Sequence, residues 1–341
     1  MRSIWSVYGI SIAILSIFLF FSGDNSEPDK INGQNALFIL LPKELEKTPI
    51  KSDLKPIINS NPTSYAIPLK RVGRLYAIEA IIDGESGNLI FDSGATNLVL
   101  NRTYFRDHVV TDEINSSGIT GSAGLVQKIT INSLEIGELK YIKQAANLAN
   151  LGHIENKRGI KVLGLFGFDL IKSFEITLDI NNSRLILNPI DNKGNLMNTE
   201  SNFKADITKK LEIANNVIFL KATIGEKPLR FCFDTGAETN ALSSSLSKTI
   251  LGTVTVTKTV KLKGSGSASV EVIYGQMNNF QIGDSLFNSM ETIITYMDHL
   301  NEAYGIRIDG VLGFDFISKA NFNFNFVKQS IGISFLKQAE Q

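Results

Sequence analysis

The chain has 341 residues, 43% hydrophobic and 20% charged, which is enough apolar material for two ordinary cores and too much for a disordered chain. Lysine plus arginine and aspartate plus glutamate both number 34, so no global field draws the protein to nucleic acid or to an anionic membrane. The single cysteine, Cys232, excludes an intrachain disulfide and a thiolate metal cluster, and His108, His153 and His299 are too scattered for a zinc ligand set, so neither metal nor cofactor is expected.

Ile4 to Phe21 form an uncharged, mostly apolar run of 18 residues behind Arg2. The run predicts an N-terminal hydrophobic helix over residues 1–21, acting as a signal anchor or a signal peptide. Cutting after Ser22 or Gly23 would put Phe20 or Phe21 where a small residue is needed, which favours the anchor. Arg2 before the run and Asp24, Glu27 and Asp29 after it place the bulk of the chain outside the cytoplasm. The expected location is the cell envelope, membrane-anchored with the main body periplasmic, or secreted if the segment is removed. Residues 22–62 read as a linker.

An internal repeat organises the remainder. Residues 76–95, YAIEAIIDGESGNLIFDSGA, align without a gap on residues 218–237, IFLKATIGEKPLRFCFDTGA, at an offset of 142. GITGSAGLV around Gly121 then matches LKGSGSASV around Gly264, Ile136-Gly137 matches Ile282-Gly283, and GLFGFDLI from Gly164 matches GVLGFDFI from Gly310, with the offset growing only to 146. Matches in one order with so little drift imply two copies of one fold, residues 63–197 and 198–341, joined through the polar, turn-rich stretch near 188–202. Within each copy the period is that of strands. Ile176, Leu178 and Ile180 alternate with polar residues before Asn181-Asn182, and Leu185 and Leu187 follow; Phe322, Phe324 and Phe326 repeat the hairpin with Ile331, Ile333 and Phe335 on the return. Short helices are expected only after each GFD, with Asp169 and Asp315 as their caps. The fold class is all-β.

In each copy an apolar strand, Leu89-Ile90-Phe91 or Phe231-Cys232-Phe233, runs directly into an aspartate followed by Ser or Thr, Gly and Ala. Asp92 and Asp234 therefore sit at strand ends; Gly94 and Gly236 allow a tight turn, and the hydroxyls of Ser93 and Thr235 can bond across to the other copy. One such tripeptide is an ordinary turn. Two, at equivalent positions of a repeat, are a constellation.

The paired DSGA and DTGA motifs, followed 75 and 79 residues later by the glycines of Leu165-Phe166-Gly167 and Val311-Leu312-Gly313, resemble those of retropepsin-like aspartic proteases of the pepsin clan, in a bacterial type with two tandem repeats. The resemblance covers roughly residues 63–341. It implies two lobes related by a pseudo-twofold axis, with Asp92 and Asp234 meeting as a catalytic dyad, the loops Ser93-Gly94-Ala95 and Thr235-Gly236-Ala237 supporting them, and the apolar-apolar-Gly strands packed behind. It further implies an aspartic endopeptidase, acting as a monomer on an extended polypeptide. Gly121 and Ser122 in the first copy and Gly264 and Ser265 in the second fall where that family has its flaps. Ala95 and Ala237 stand where many pepsin-like enzymes have a hydroxyl that stabilises the ionised dyad, so an activity optimum nearer neutrality is expected. The competing readings are a peptide-binding pseudoprotease of the envelope and a structural envelope protein; the intact Asp and Gly of both motifs disfavour the first, and the second leaves the repeated motif unexplained. Cys232, between two phenylalanines, reads as a core thiol.

Overall fold

Strands dominate wherever β-branched and aromatic residues alternate or cluster, and the turns between them fall at Gly, Asn and Asp. A computed structural model of the chain describes residues 41–42, 57–58, 64–118, 121–197, 202–263, 269–298, 301 and 306–336. The fold is all-β, in three sheets. The apolar N-terminal run lies outside the described residues, and among these no helix is long and apolar enough to cross a membrane.

The first large sheet passes in order through Val110–Gly118, Gly121–Ile136, Leu139–Ala149, Val99–Asn101, Val162–Phe166, Glu85–Phe91 and Leu75–Ile82, with Lys70–Val72 beyond the last and Leu75–Ile82 also paired to Gly121–Ile136. The second places Val254–Lys263, Ser269–Met277, Met290–Thr295, Asn240–Ser243, Gly310–Leu312, Lys227–Phe233 and Val217–Ile224 in the same order. The sequence repeat is thus a repeat of topology. Within the expected linker, Leu41–Pro42 pairs with Val110–Gly118 and Ile57–Ile58 with Leu139–Ala149, so these two pieces belong to the first sheet.

The third sheet takes three strands from each half: Tyr65–Pro68, Arg184–Pro189 and Phe174–Asp179, then Ala320–Asn325, Ser330–Phe335 and Ile207–Lys210. The two hairpins read from the sequence are its centre. Thr177 is the register partner of Asn323, which is its own equivalent at the offset of 146, so the halves meet there as a twofold axis requires. One face of this sheet is apolar, with Ile176, Leu178, Phe322, Phe324, Ile331 and Ile333 buried. Phe322 and Phe324 set their rings 5.0 and 5.1 Å from that of Phe233 in the strand leading to Asp234. Each such ring stabilises the fold by roughly 1.5–3 kcal/mol through burial, and together they support that strand from below.

The alternating polar residues of Phe174–Asp179 do not face solvent as a one-sided strand would have them. Glu175, Thr177 and Asp179 are all buried, because the second face is covered too: Asn325 donates to Glu175 Oε2 at 2.9 Å and to the carbonyl of Gly194 at 2.8 Å. The helices expected after each GFD begin within it, at the Phe, as Phe168–Leu170 (3-10) and Phe314–Ile317 (α). Three further short helices, Arg102–Phe105, Gly152–Arg158 and Lys248–Leu251, were not legible in the pattern.

Candidate active site

Asp92 and Asp234 each end a strand that is hydrogen-bonded in parallel to the apolar-apolar-Gly strand of its own half. Phe91 pairs with Phe166 and Phe233 with Leu312, and the main chain continues the ladder, with Asp92 N–H donating to Phe166 O at 3.1 Å and Asp234 N–H to Leu312 O at 3.0 Å. After each aspartate the chain turns tightly over its own carboxylate. Gly94 and Ala95 N–H donate to Asp92 Oδ1 at 3.0 Å each, and Gly236 N–H donates to Asp234 Oδ1 at 2.8 Å.

The two turns abut. A Cβ built on Gly94 would lie 2.6 Å from Asp234 Cγ, and one on Gly236 would lie 2.6 Å from Asp92 Cγ, so each glycine is required by the other half's carboxyl group. Ser93 and Thr235 brace the turns reciprocally. Ser93 N–H donates to Thr235 Oγ1 at 2.9 Å and Thr235 N–H to Ser93 Oγ at 3.0 Å; the hydroxyls then donate across to Phe233 O at 3.0 Å and Phe91 O at 2.8 Å. Four buried hydrogen bonds thus fix two loops 142 residues apart in sequence. Thr235→Val removes one acceptor and one donor while keeping the shape, stranding Ser93 N–H and Phe91 O. It is expected to cost about 2–4 kcal/mol in urea unfolding, from roughly 1–3 kcal/mol per buried unsatisfied group with partial relaxation.

Behind the turns, Gly167 and Gly313 are pressed by carbonyls that follow the two aspartates: an added Cβ would stand 2.2 Å from Asn97 O and 2.5 Å from Thr239 O respectively. That contact is the physical reason for glycine in both triplets. Asp169 and Asp315, expected to cap the following helices, do not cap them. Gly167 and Gly313 hold the cap positions, with no side-chain cap bond, and the aspartates stand in the first turn with other partners. Asp315 Oδ2 accepts from Thr239 Oγ1 and from Arg74 Nη1, both at 3.1 Å, and Asp169 Oδ1 accepts from Asn216 Nδ2 at 3.2 Å and from Lys172 Nζ at 2.8 Å. Arg74, Asn216, Asn97 and Thr239 therefore belong to the surroundings of the site, although no motif marks them. Neither does any motif mark Glu238, buried next to Ala237 and ion-paired with Arg158 of the first half.

Asp92 and Asp234 are both 0% exposed. Burial, and then the negative charge of Asp92, hold the Asp234 carboxyl well above the usual carboxylate range, against the opposing N–H of Gly236. Two buried carboxylates this close do not ionise independently, so the titration belongs to the pair. Cys232 is a buried core thiol whose acidity is suppressed by burial and by the two aspartates. The elevated pKa of Asp234 also has a sign in stability. Its contribution is fully present below the ordinary carboxylate pKa of about 3.9 and is lost as pH rises through the higher folded-state value. Asp234→Asn removes that titration, so thermal unfolding of the variant at pH 8 is expected above wild type, with the gap closing toward pH 4. Each kcal/mol relieved corresponds to roughly 1–2 °C in a chain of this size.

Of the expected flap residues, Gly121 and Ser122 lie on strand Gly121–Ile136, paired with Gly118 and Ser117 of the preceding strand. Gly264 and Ser265 lie outside the described residues, between the paired strands Val254–Lys263 and Ser269–Met277.

Residues 220–316 match the model of a protein family described as aspartyl protease. That span starts in strand Val217–Ile224, includes the Asp234 turn and ends in the helix Phe314–Ile317. No curated protein matches the chain.

Proposed function

We propose that the protein is an aspartic endopeptidase whose Asp92 and Asp234 act as one dyad, shared between two pepsin- and retropepsin-like lobes, residues 63–197 and 198–341. The observation that carries this reading is the meeting of two aspartate turns from equivalent positions of a repeat, each glycine in contact with the other's carboxyl group. The aspartyl protease match over residues 220–316 supports the chemistry for the second half.

In this mechanism the ionised carboxylate takes a proton from water as its oxygen bonds to the scissile carbonyl carbon, while the protonated carboxyl gives its proton to the carbonyl oxygen. Collapse of the tetrahedral species breaks the C–N bond, returns the hydroxyl proton to the dyad and delivers the other proton to the leaving amine. No covalent enzyme intermediate forms. The elevated pKa of Asp234 extends the singly protonated state toward neutral pH, so the rate profile is expected to peak above the range of gastric enzymes. A peak below about pH 3 would contradict this.

The paired strands Val110–Gly118 with Gly121–Ile136 and Val254–Lys263 with Ser269–Met277 fit two hairpins that would close over an extended peptide, main-chain hydrogen bonds holding the substrate, with Gly121, Ser122, Gly264 and Ser265 as the proposed flap residues. The apolar run at residues 4–21 supports an envelope location, anchored or secreted, and the site is complete within one chain, which supports a monomer. The test is cleavage of a mixed peptide library by the full-length chain across pH 3–8, with product sequences read by mass spectrometry. Peptides bound but left intact at every pH would favour a binding module instead.

A further inference from the structure

The two aspartates that follow the family glycines have contacts that obey the repeat. In the second half, Thr239 of the catalytic loop donates to Asp315, and Arg74 of the first half donates to the same oxygen. In the first half, the Asn97 side-chain amide of the catalytic loop abuts Asp169 and is satisfied only with its nitrogen oriented to donate to that carboxylate, and Asn216 of the second half donates to it as well. Asn97 and Thr239 are equivalent at the offset of 142, as are Arg74 and Asn216, while Asp169 and Asp315 are equivalent at 146. The same three-residue chain is thus built twice: catalytic loop, aspartate, opposite half. Helix capping does not account for it, since neither aspartate makes a cap bond.

The copies differ in strength. The first rests on the neutral amide of Asn216, whereas the second rests on a guanidinium that also pairs with Glu291 at 2.6 Å and donates to Glu238 O at 3.4 Å. Arg74 thereby joins three points around the Asp234 turn: the carboxylate behind it, the main chain after it and the strand beside it. Charge-assisted, multidentate bonds of this kind are about twice as strong as neutral ones and fix orientation as well as distance.

We infer that Asp169 and Asp315 are positioning residues, each tying its own catalytic loop to the opposite half, and that Arg74 makes the Asp315 tie the dominant one in setting the approach of the two catalytic carboxyls. This rests on the endopeptidase reading for its effect on rate but not for its effect on the loops. Asn216 holds its turn at φ +61°, a conformation Arg74 does not share, so an asparagine at position 74 tests whether an amide donor of the kind Asn216 gives Asp169 is enough to make the tie without the bulk of an arginine.

The experiment compares Arg74→Ala, Arg74→Asn and Asp315→Asn in the full-length chain, measuring kcat and KM on a cleaved peptide and amide hydrogen exchange over residues 230–240. Arg74→Ala is expected to lower kcat about tenfold with KM within about twofold, because sub-ångström displacement of a reacting group acts on the chemical step. Arg74→Asn is expected to recover to within about threefold of wild type, and Asp315→Asn to fall with Arg74→Ala. Exchange at the Asp234 loop should quicken in Arg74→Ala and return toward wild type in Arg74→Asn. Unchanged kcat in Arg74→Ala, no recovery in Arg74→Asn, or unchanged exchange would each overturn the inference. A wild type that cleaves nothing sinks the endopeptidase reading alone, and the exchange arm still decides the tie.

Discussion

Asp92→Asn and Asp234→Asn are each expected to reduce kcat by at least about 10³-fold, and the double variant to be little worse than either single one. In the proposed mechanism the residues act as one acid–base unit, so removing either ionisable partner removes both the base for water and the proton for the carbonyl oxygen. Asparagine keeps the volume and an acceptor oxygen for the N–H groups of Gly94, Ala95 and Gly236, so the turns should survive. The loss should therefore appear in kcat, with peptide binding retained, in steady-state kinetics and in an independent binding assay. If one single variant kept near-wild-type kcat while the other lost it, a shared dyad would be the wrong description. Equal full activity in both would remove the catalytic reading altogether.

Gly236→Ala should be nearly as damaging, for a steric reason. Its Cβ would lie 2.6 Å from Asp92 Cγ and 2.8 Å from Asp92 Oδ2, inside van der Waals contact with a buried, hydrogen-bonded group. That carboxylate is held by two N–H groups of its own loop, and the loops are locked by the Ser93 and Thr235 bonds, so relief requires the halves to separate. Overpacking of this kind costs about 1–3 kcal/mol of stability, and a displacement near 1 Å at reacting groups costs about 10²-fold in rate. The expected result is a folded protein with a modestly lower denaturation midpoint and kcat reduced by about 10²-fold or more. Gly94→Ala should behave alike, since its Cβ meets Asp234 at the same distance. Gly84→Ala is a control for glycine loss alone: its φ is +88° but nothing lies within 4 Å of the added carbon, so stability is expected to fall with activity per folded molecule unchanged.

The hairpins around Asn181-Asn182 and after Phe326, the strands entering both aspartates and the short helices after each GFD were legible because each depends on its own neighbourhood: a period of two, a turn residue, an apolar run. The candidate dyad was legible because a repeat places the same tripeptide twice, and a repeat can be seen without knowing how its copies dock. What no local pattern carries is the docking itself. Glu175 looks like a solvent-facing strand residue until Asn325, 150 positions away, is laid against it. Arg74 looks like a turn residue before a strand until Asp315, 241 positions away, receives its guanidinium. The capping role expected of Asp169 and Asp315 failed for the same reason, since each carboxylate, two residues beyond a glycine cap, accepts from a donor of the other half, Asn216 for Asp169 and Arg74 for Asp315. The sequence by itself determined the strand class, the repeat and the pair of aspartates. Only the tertiary structure decided which groups brace them, because hydrogen bonds across the twofold are selected by the packing of two apolar sheets and leave no period along either strand.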